Sequence, residues 1–174
     1  MDYKFTTRPI IALGSWLSTP SGIYVRQWEE QLLASLTADI FGFNALQLGL
    51  PQINTLAANR MPHKFFSDCY LPLPESNPQV QIAVLHDYTE LPFASQSLDL
   101  VVLPHILEFA AEPHQVLREV ERVLMPEGQL IVCGFNPASL WGLQRACGGL
   151  LKTQFLPKEG EFISMPRLKD WLKL

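Results

Sequence analysis

Apolar and polar positions follow two periods along this chain. Short apolar runs of strand length stand at residues 45–48, 80–85, 98–103 and 130–133, and a fainter one at 63–67. Runs of this length, bounded by turn-forming residues, predict strands. Between them the apolar spacing changes to three and four. Thr19 and Pro20 announce a helix, with Val25, Trp28, Leu32, Leu36 and Ile40 recurring along one face. Pro113 opens another, carrying Val116, Leu117, Val120, Val123 and Leu124, and Pro126 and Gly128 close it in a tight turn. Shorter helices are predicted over 53–59, after Asn136-Pro137 with Gly148 as its stop, and from Ser164 and Pro166 onward with Leu168, Trp171 and Leu172 apolar. Residues 71–78, LPLPESNP, read as loop.

Continuous apolar strands are those of a parallel sheet covered on both faces. Strands alternating with helices give a doubly wound α/β arrangement. The layout expected is one domain over 1–174, with a helical segment at 1–43 and an α/β core at 44–174. Ligands of such sheets bind beyond the carboxyl ends of the strands. That places Gly49, Asp87 and the Pro104-His105 corner on one edge.

Composition narrows the function. The net charge of −4, without a lysine- or arginine-rich run, excludes an electrostatic grip on nucleic acid or anionic lipid. Cys69, Cys133 and Cys147 form no Cys-x-x-Cys pair, so their spacing points to neither a disulfide framework nor a zinc site, and no metal is expected. His63, His86 and His114 show no ligand spacing either. Trp141 and Trp171 fall on apolar helix faces. The start, MDYKFTTRP, has no apolar leader core, and no apolar run reaches membrane-spanning length. The expectation is a cytoplasmic protein.

Three segments carry chemistry. HDYTELPF at 86–93 puts an acid after a strand and ahead of a turn, LDLVVLPHILEF at 98–109 opens a buried strand with Asp99, and RVLMPEGQLIVCGFN at 122–136 joins a helix to another strand. Together they resemble the second half of the class I S-adenosylmethionine (SAM)-dependent methyltransferase domain, in the version called type 11. The resemblance implies a Rossmann-like, mostly parallel sheet, SAM as cofactor, and methyl transfer to a small-molecule acceptor. In that family an acid after the third strand bonds the adenine amino group, which falls on Asp87, with Tyr88 beside it to pack on the ring. A second-strand acid bonds the ribose; Asp68 is the local match, while the bland reading is a solvated loop residue. Asp99 is mainly architectural there. Substrate-facing groups follow the fourth strand, which brings in Pro104, His105 and Glu108, with His105 a candidate general base or else a histidine that packs on the next helix.

The resemblance weakens toward the start of the chain. The family's first strand ends in an acid followed by three glycines at alternate positions. Here the segment is Gln47-Leu48-Gly49-Leu50-Pro51-Gln52-Ile53. Gln47 stands for the acid, Gly49 is kept, and Pro51 and Ile53 replace the other glycines. Pro51 has no N–H to give, and Ile53 brings a branched side chain toward the cofactor. Two readings therefore stand: a methyltransferase using Gln47, Gly49, Asp68, Asp87, Tyr88 and Pro104 around SAM, or a catalytically inactive, methyltransferase-like binding or scaffold protein. A nicotinamide-dependent dehydrogenase is a distant third, since no Gly-x-Gly-x-x-Gly follows the first strand. The family also continues past a helix like the last one here into further strands. The expectation is that C-terminal strands are missing and that an open sheet edge allows self-association.

Overall fold

A computed structural model describes residues 9–71, 76–139 and 160–173. Five strands form one sheet: β1 (Asn44–Leu48), β2 (His63–Asp68), β3 (Ile82–Leu85), β4 (Leu98–Pro104) and β5 (Leu124–Cys133). Their order is β3-β2-β1-β4-β5, and every pairing is parallel. The chain winds outward from β1 in both directions, so the crossovers diverge between β1 and β4. That divergence opens a crevice at the carboxyl ends of these strands. The expected doubly wound α/β sheet is the one found.

The buried residues of β1 and β4 alternate between two clusters. Leu46, Leu48, Val101 and Leu103 join one core, and Ala45, Leu100 and Val102 the other. A period of two divides a strand's side chains between opposite faces, so both faces are covered. Asp99 ties the centre together: its Oδ2 accepts the backbone N–H groups of Phe43 and Asn44, both at 2.9 Å. The architectural role expected of it is visible in those bonds. The LPF turn is held from the far side, where Arg122 donates to the carbonyls of Leu91 and Phe93 and Glu119 accepts from Leu91 N–H.

The helices are α1 (Pro9–Trp16), α2 (Pro20–Ala38), α3 (Ile106–Phe109), α4 (Pro113–Val123) and α5 (Met165–Trp171). α2 begins where predicted, with the Thr19 hydroxyl capping Gly22 N–H at 3.2 Å. α4 buries Val116, Val120 and Val123 as expected. Ser164 is the N-cap of α5.

Four expectations need correction. The apolar stripe on α2 faces outward: Trp28, Leu32 and Leu36 are exposed, while Gly22, Glu29, Leu33 and Thr37 are buried. A buried glutamate on the inward face reversed the reading. α1 was not foreseen, yet Ile10, Leu13 and Leu17 lie in the main core. Residues 53–59 form turns rather than a helix, because side chains take the carbonyls a helix would use. Finally, β5 begins directly at Leu124 and carries Pro126-Glu127-Gly128 within it as an irregularity, with Glu127 left-handed at φ 68°. The helix expected after Asn136, with Trp141, Cys147 and Gly148, lies outside the described residues.

Candidate functional site

At the carboxyl edge of the sheet the chain makes two polar corners. The first gathers the ends of β1, β2 and β3. Gly49 leaves β1 in the left-handed region at φ 65°, followed by Leu50 at 50°. A Cβ on Gly49 would lie 2.5 Å from both Tyr88 Oη and Ile106 Cδ1, so only glycine lets these groups approach. The Tyr88 hydroxyl donates to Asp68 Oδ1 at 2.6 Å, and the same oxygen accepts from Cys69 N–H at 2.6 Å. Asp68 and Tyr88 are both buried, at 5% and 1% exposure. Burial pushes the Asp68 carboxyl above its ordinary range, against the pull of the Tyr88 hydroxyl. Burial also raises the Tyr88 phenol, and the Asp68 charge adds to it.

Asp87 lies just beyond, half-buried, with Oδ1 accepting from both the N–H and the hydroxyl of Thr89. It is thus a turn former as placed. The fold brings Gly49, Asp68 and Tyr88 into contact and sets Asp87 next to them in the chain.

Gln47 is different in kind. Its Nε2 donates to the carbonyls of Ile53 (2.8 Å) and Gly49 (3.1 Å), and its Oε1 accepts from Thr55 N–H and Thr55 Oγ1. The side chain cinches the 49–55 loop from beneath. Ile53 is wholly buried in the main core. Beside Asp68 a cavity of about 40 Å³ opens between Ile10, Ile11, Pro51 and Tyr70.

The second corner gathers the ends of β4 and β5. Pro104 closes β4 opposite Cys133. His105 follows in the left-handed region at φ 57°, an unusual conformation for a non-glycine residue and often a mark of a functional or over-determined position. Its ring is fully buried. Nδ1 is 2.6 Å from Glu108 Oε2 and Nε2 is 3.0 Å from Glu29 Oε1. Phe135 N–H donates to Glu108 Oε1 at 2.8 Å, and the Phe135 ring lies 4.4 Å from the imidazole. Burial alone would lower the His105 pKa. The Glu29 charge, with hydrogen bonds to Cys133, Glu108 and Glu29, outweighs it and raises the pKa well above 6.5. Both ring nitrogens of His105, the candidate general base, are engaged by carboxylates. Glu29 was missed from the sequence, as was Cys133 as a neighbour of His105. A glutamate in line with Leu33 and Thr37 on one helical face is the signal that was there to read.

The doubly wound parallel sheet is a fold shared with solved SAM-dependent methyltransferases. The chain superposes on a SAM-dependent methyltransferase from Thermotoga maritima with a TM-score of 0.69 over 99% of this chain and 79% of that one, at 16% identity. With CalH, a methyltransferase solved in complex with SAH, the score is 0.58 over 92% of this chain and 54% of that one, at 19% identity. Residues 71–132 match the model of a methyltransferase domain family, type 11, and the HDYTELPF, LDLVVLPHILEF and RVLMPEGQLIVCGFN segments fall largely within that stretch. Over 167 residues the chain is 34% identical to the uncharacterized protein YafS of Escherichia coli (strain K12), covering 95% of this chain and 65% of that protein's length. Over 74 residues it is 32% identical to the demethylmenaquinone methyltransferase of Chlamydia pneumoniae, covering 41% of this chain and 32% of that one. The chain thus spans less than two thirds of the curated relatives it matches. No helix among the described residues is long and apolar enough to cross a membrane.

Proposed function

We propose that this chain carries the cofactor half of a SAM-dependent methyltransferase whose acceptor is a small molecule. The observation that supports it is the meeting of Gly49, Asp68 and Tyr88, with Asp87 alongside, where the two directions of winding diverge. The donor set suits a nucleoside: an acid ending β2 for ribose hydroxyls, an acid after β3 for an exocyclic amine, and a glycine without a side chain where backbone must approach. The space is less generous. The Tyr88 ring fills the ground between Gly49 and Asp68, and the neighbouring cavity of about 40 Å³ holds little more than a water. The donor set fits the group, while the space beside it is taken by the Tyr88 ring, itself part of the main core.

With SAM bound, the cofactor supplies an electrophilic methyl. The chain's share is then to orient and to exclude water. Asp68 would hold the ribose, Asp87 the adenine edge, and Gly49 would let the β1 loop lie close. Pro104 ends β4 on the side where an acceptor would enter. Gln47 acts at one remove, by fixing the loop. The net charge of −4 supports a small acceptor over nucleic acid. The free thiol of Cys133 is in keeping with a reducing, cytoplasmic setting.

A second reading has its own support: a methyltransferase-like binding protein without catalysis. Tyr88 in the groove, Gln47 locking the loop, and Pro51 and Ile53 in place of glycines favour it. Thermal melting with S-adenosylhomocysteine separates the two, since a ligand bound only by the native state raises the melting temperature. A rise that saturates is expected. No shift at millimolar ligand would favour the inactive protein.

A further inference from the structure

The second corner holds groups that methyl transfer does not use. Glu29 from α2, His105 after β4 and Cys133 at the end of β5 each offer one ligand atom, and these atoms lie within 4.8 Å of one another. His105 Nε2 is 3.0 Å from Glu29 Oε1 and 4.0 Å from Cys133 Sγ. Around a tetrahedral zinc at ordinary bond lengths, a nitrogen and an oxygen stand about 3.3 Å apart and a nitrogen and a sulfur about 3.6 Å. Both separations come within a few tenths of an ångström of these.

Two further observations point the same way. Glu29 Oε2 is buried without a hydrogen-bond partner among the described residues, in a side chain only 6% exposed. A buried carboxylate oxygen left bare is costly, and native structures rarely leave one so. The other observation is Glu108. It lies 2.6 Å from His105 Nδ1 and is itself fixed by Phe135 N–H. A carboxylate on the far nitrogen is the usual partner of a metal-bound histidine, because it holds the proton on Nδ1 and turns the Nε2 lone pair toward the ion.

We propose that Glu29, His105 and Cys133 bind one divalent cation of borderline softness, zinc being the chemical match, with Glu108 orienting the imidazole. One oxygen, one nitrogen and one sulfur ligand suit zinc and disfavour magnesium or calcium. The ion requires Cys133 as thiolate and an unprotonated His105 Nε2, so any protons these atoms carry leave to solvent as it enters. Three protein ligands leave a fourth position, the pattern of zinc that acts on a water or a ligand atom. On the Cys133 side, Cys133 and Glu108 line a cavity of about 130 Å³ with Leu107, Phe135, Asn136 and Ile163. The proposal does not depend on the cofactor reading, and failure of either leaves the other standing.

Cobalt(II) titrated into the chelator-treated chain tests it. One equivalent should produce visible d–d bands of tetrahedral intensity together with a thiolate-to-cobalt charge-transfer band. Zinc should bleach both, and competition with a chromogenic chelator then gives its affinity. Cys133→Ser, checked for folding by circular dichroism, should lose the charge-transfer band. Glu108→Gln should keep it and weaken zinc by ten- to a hundredfold. Failure to take up one equivalent, or a cobalt spectrum of the parent chain without thiolate character, overturns the proposal. So does a folded Cys133→Ser that binds zinc as tightly as the parent. Should Cys133→Ser fail to fold, the parent spectrum alone decides.

Discussion

The two polar corners share one sheet edge and solve opposite problems. The β1–β2–β3 corner is filled by a ring: Tyr88 covers Gly49 and donates its hydroxyl to Asp68. The β4–β5 corner is charged and filled by a network: two carboxylates grip one imidazole across α2, α3 and the end of β4. The Tyr88 ring is held by its place in the main core as well as by its hydrogen bond to Asp68. A buried charge whose partner is removed cannot be accommodated cheaply. The first corner is closed by packing, and the second holds α2 against the sheet by charge.

The largest effect that sharpens this contrast is at Glu29. Glu29→Ala strips the buried imidazolium of a counter-charge and should cost about 3–5 kcal/mol in urea unfolding of metal-free protein. A loss below about 1 kcal/mol would mean that the network is ornamental. At the other corner, Tyr88→Phe keeps the ring and removes only the hydroxyl, leaving Asp68 Oδ1 with the Cys69 N–H. A cost of about 1–3 kcal/mol is expected, and the same denaturation series measures it. Asp68 adds a pH signature. Its folded pKa lies above the ordinary 3.8, through burial first. The protonated acid thus favours folding, fully below 3.8, and this contribution is lost as pH rises through the folded value. Asp68→Asn should flatten that part of the stability profile, and an unchanged slope would remove Asp68 as its source. The smallest effect belongs to the outward stripe of α2. Trp28→Ser, at a residue 56% exposed, should alter unfolding by no more than about 0.5 kcal/mol. A larger loss would mean that this face is covered in solution.

The corners also differ in how far they could be read from sequence. The first is largely local: HDYTELPF places Asp87 and Tyr88 in one turn, and the glycine after β1 is visible by position. What escaped was the direction of Tyr88, which points inward to Asp68, twenty residues away, where the sequence reading had it beside an adenine ring. The second corner is assembled from residues 76 and 28 positions apart from His105, and no local period encodes it. The same long-range pairing explains the misread face of α2. Periodicity ranks Trp28 and Leu32 above a glutamate for burial, and only His105 makes Glu29 the inward residue. α1 had the right spacing at Ile10, Leu13 and Leu17, but no cap or charge pattern marked its start. The apolar runs at 98–103 and 130–133, by contrast, were plain, because such a run has few other places to go, while the first half of β5 with Pro126-Glu127-Gly128 was not.

The central claim is that the β1–β2–β3 corner is a nucleoside site closed by its own tyrosine. Calorimetric titration of S-adenosylhomocysteine into the parent chain and into Tyr88→Ala tests it most directly. The account predicts binding to both, at least tenfold tighter in Tyr88→Ala, with the heat lost when Asp68→Ala is added to it. A folded Tyr88→Ala that gives no heat at millimolar ligand would contradict it.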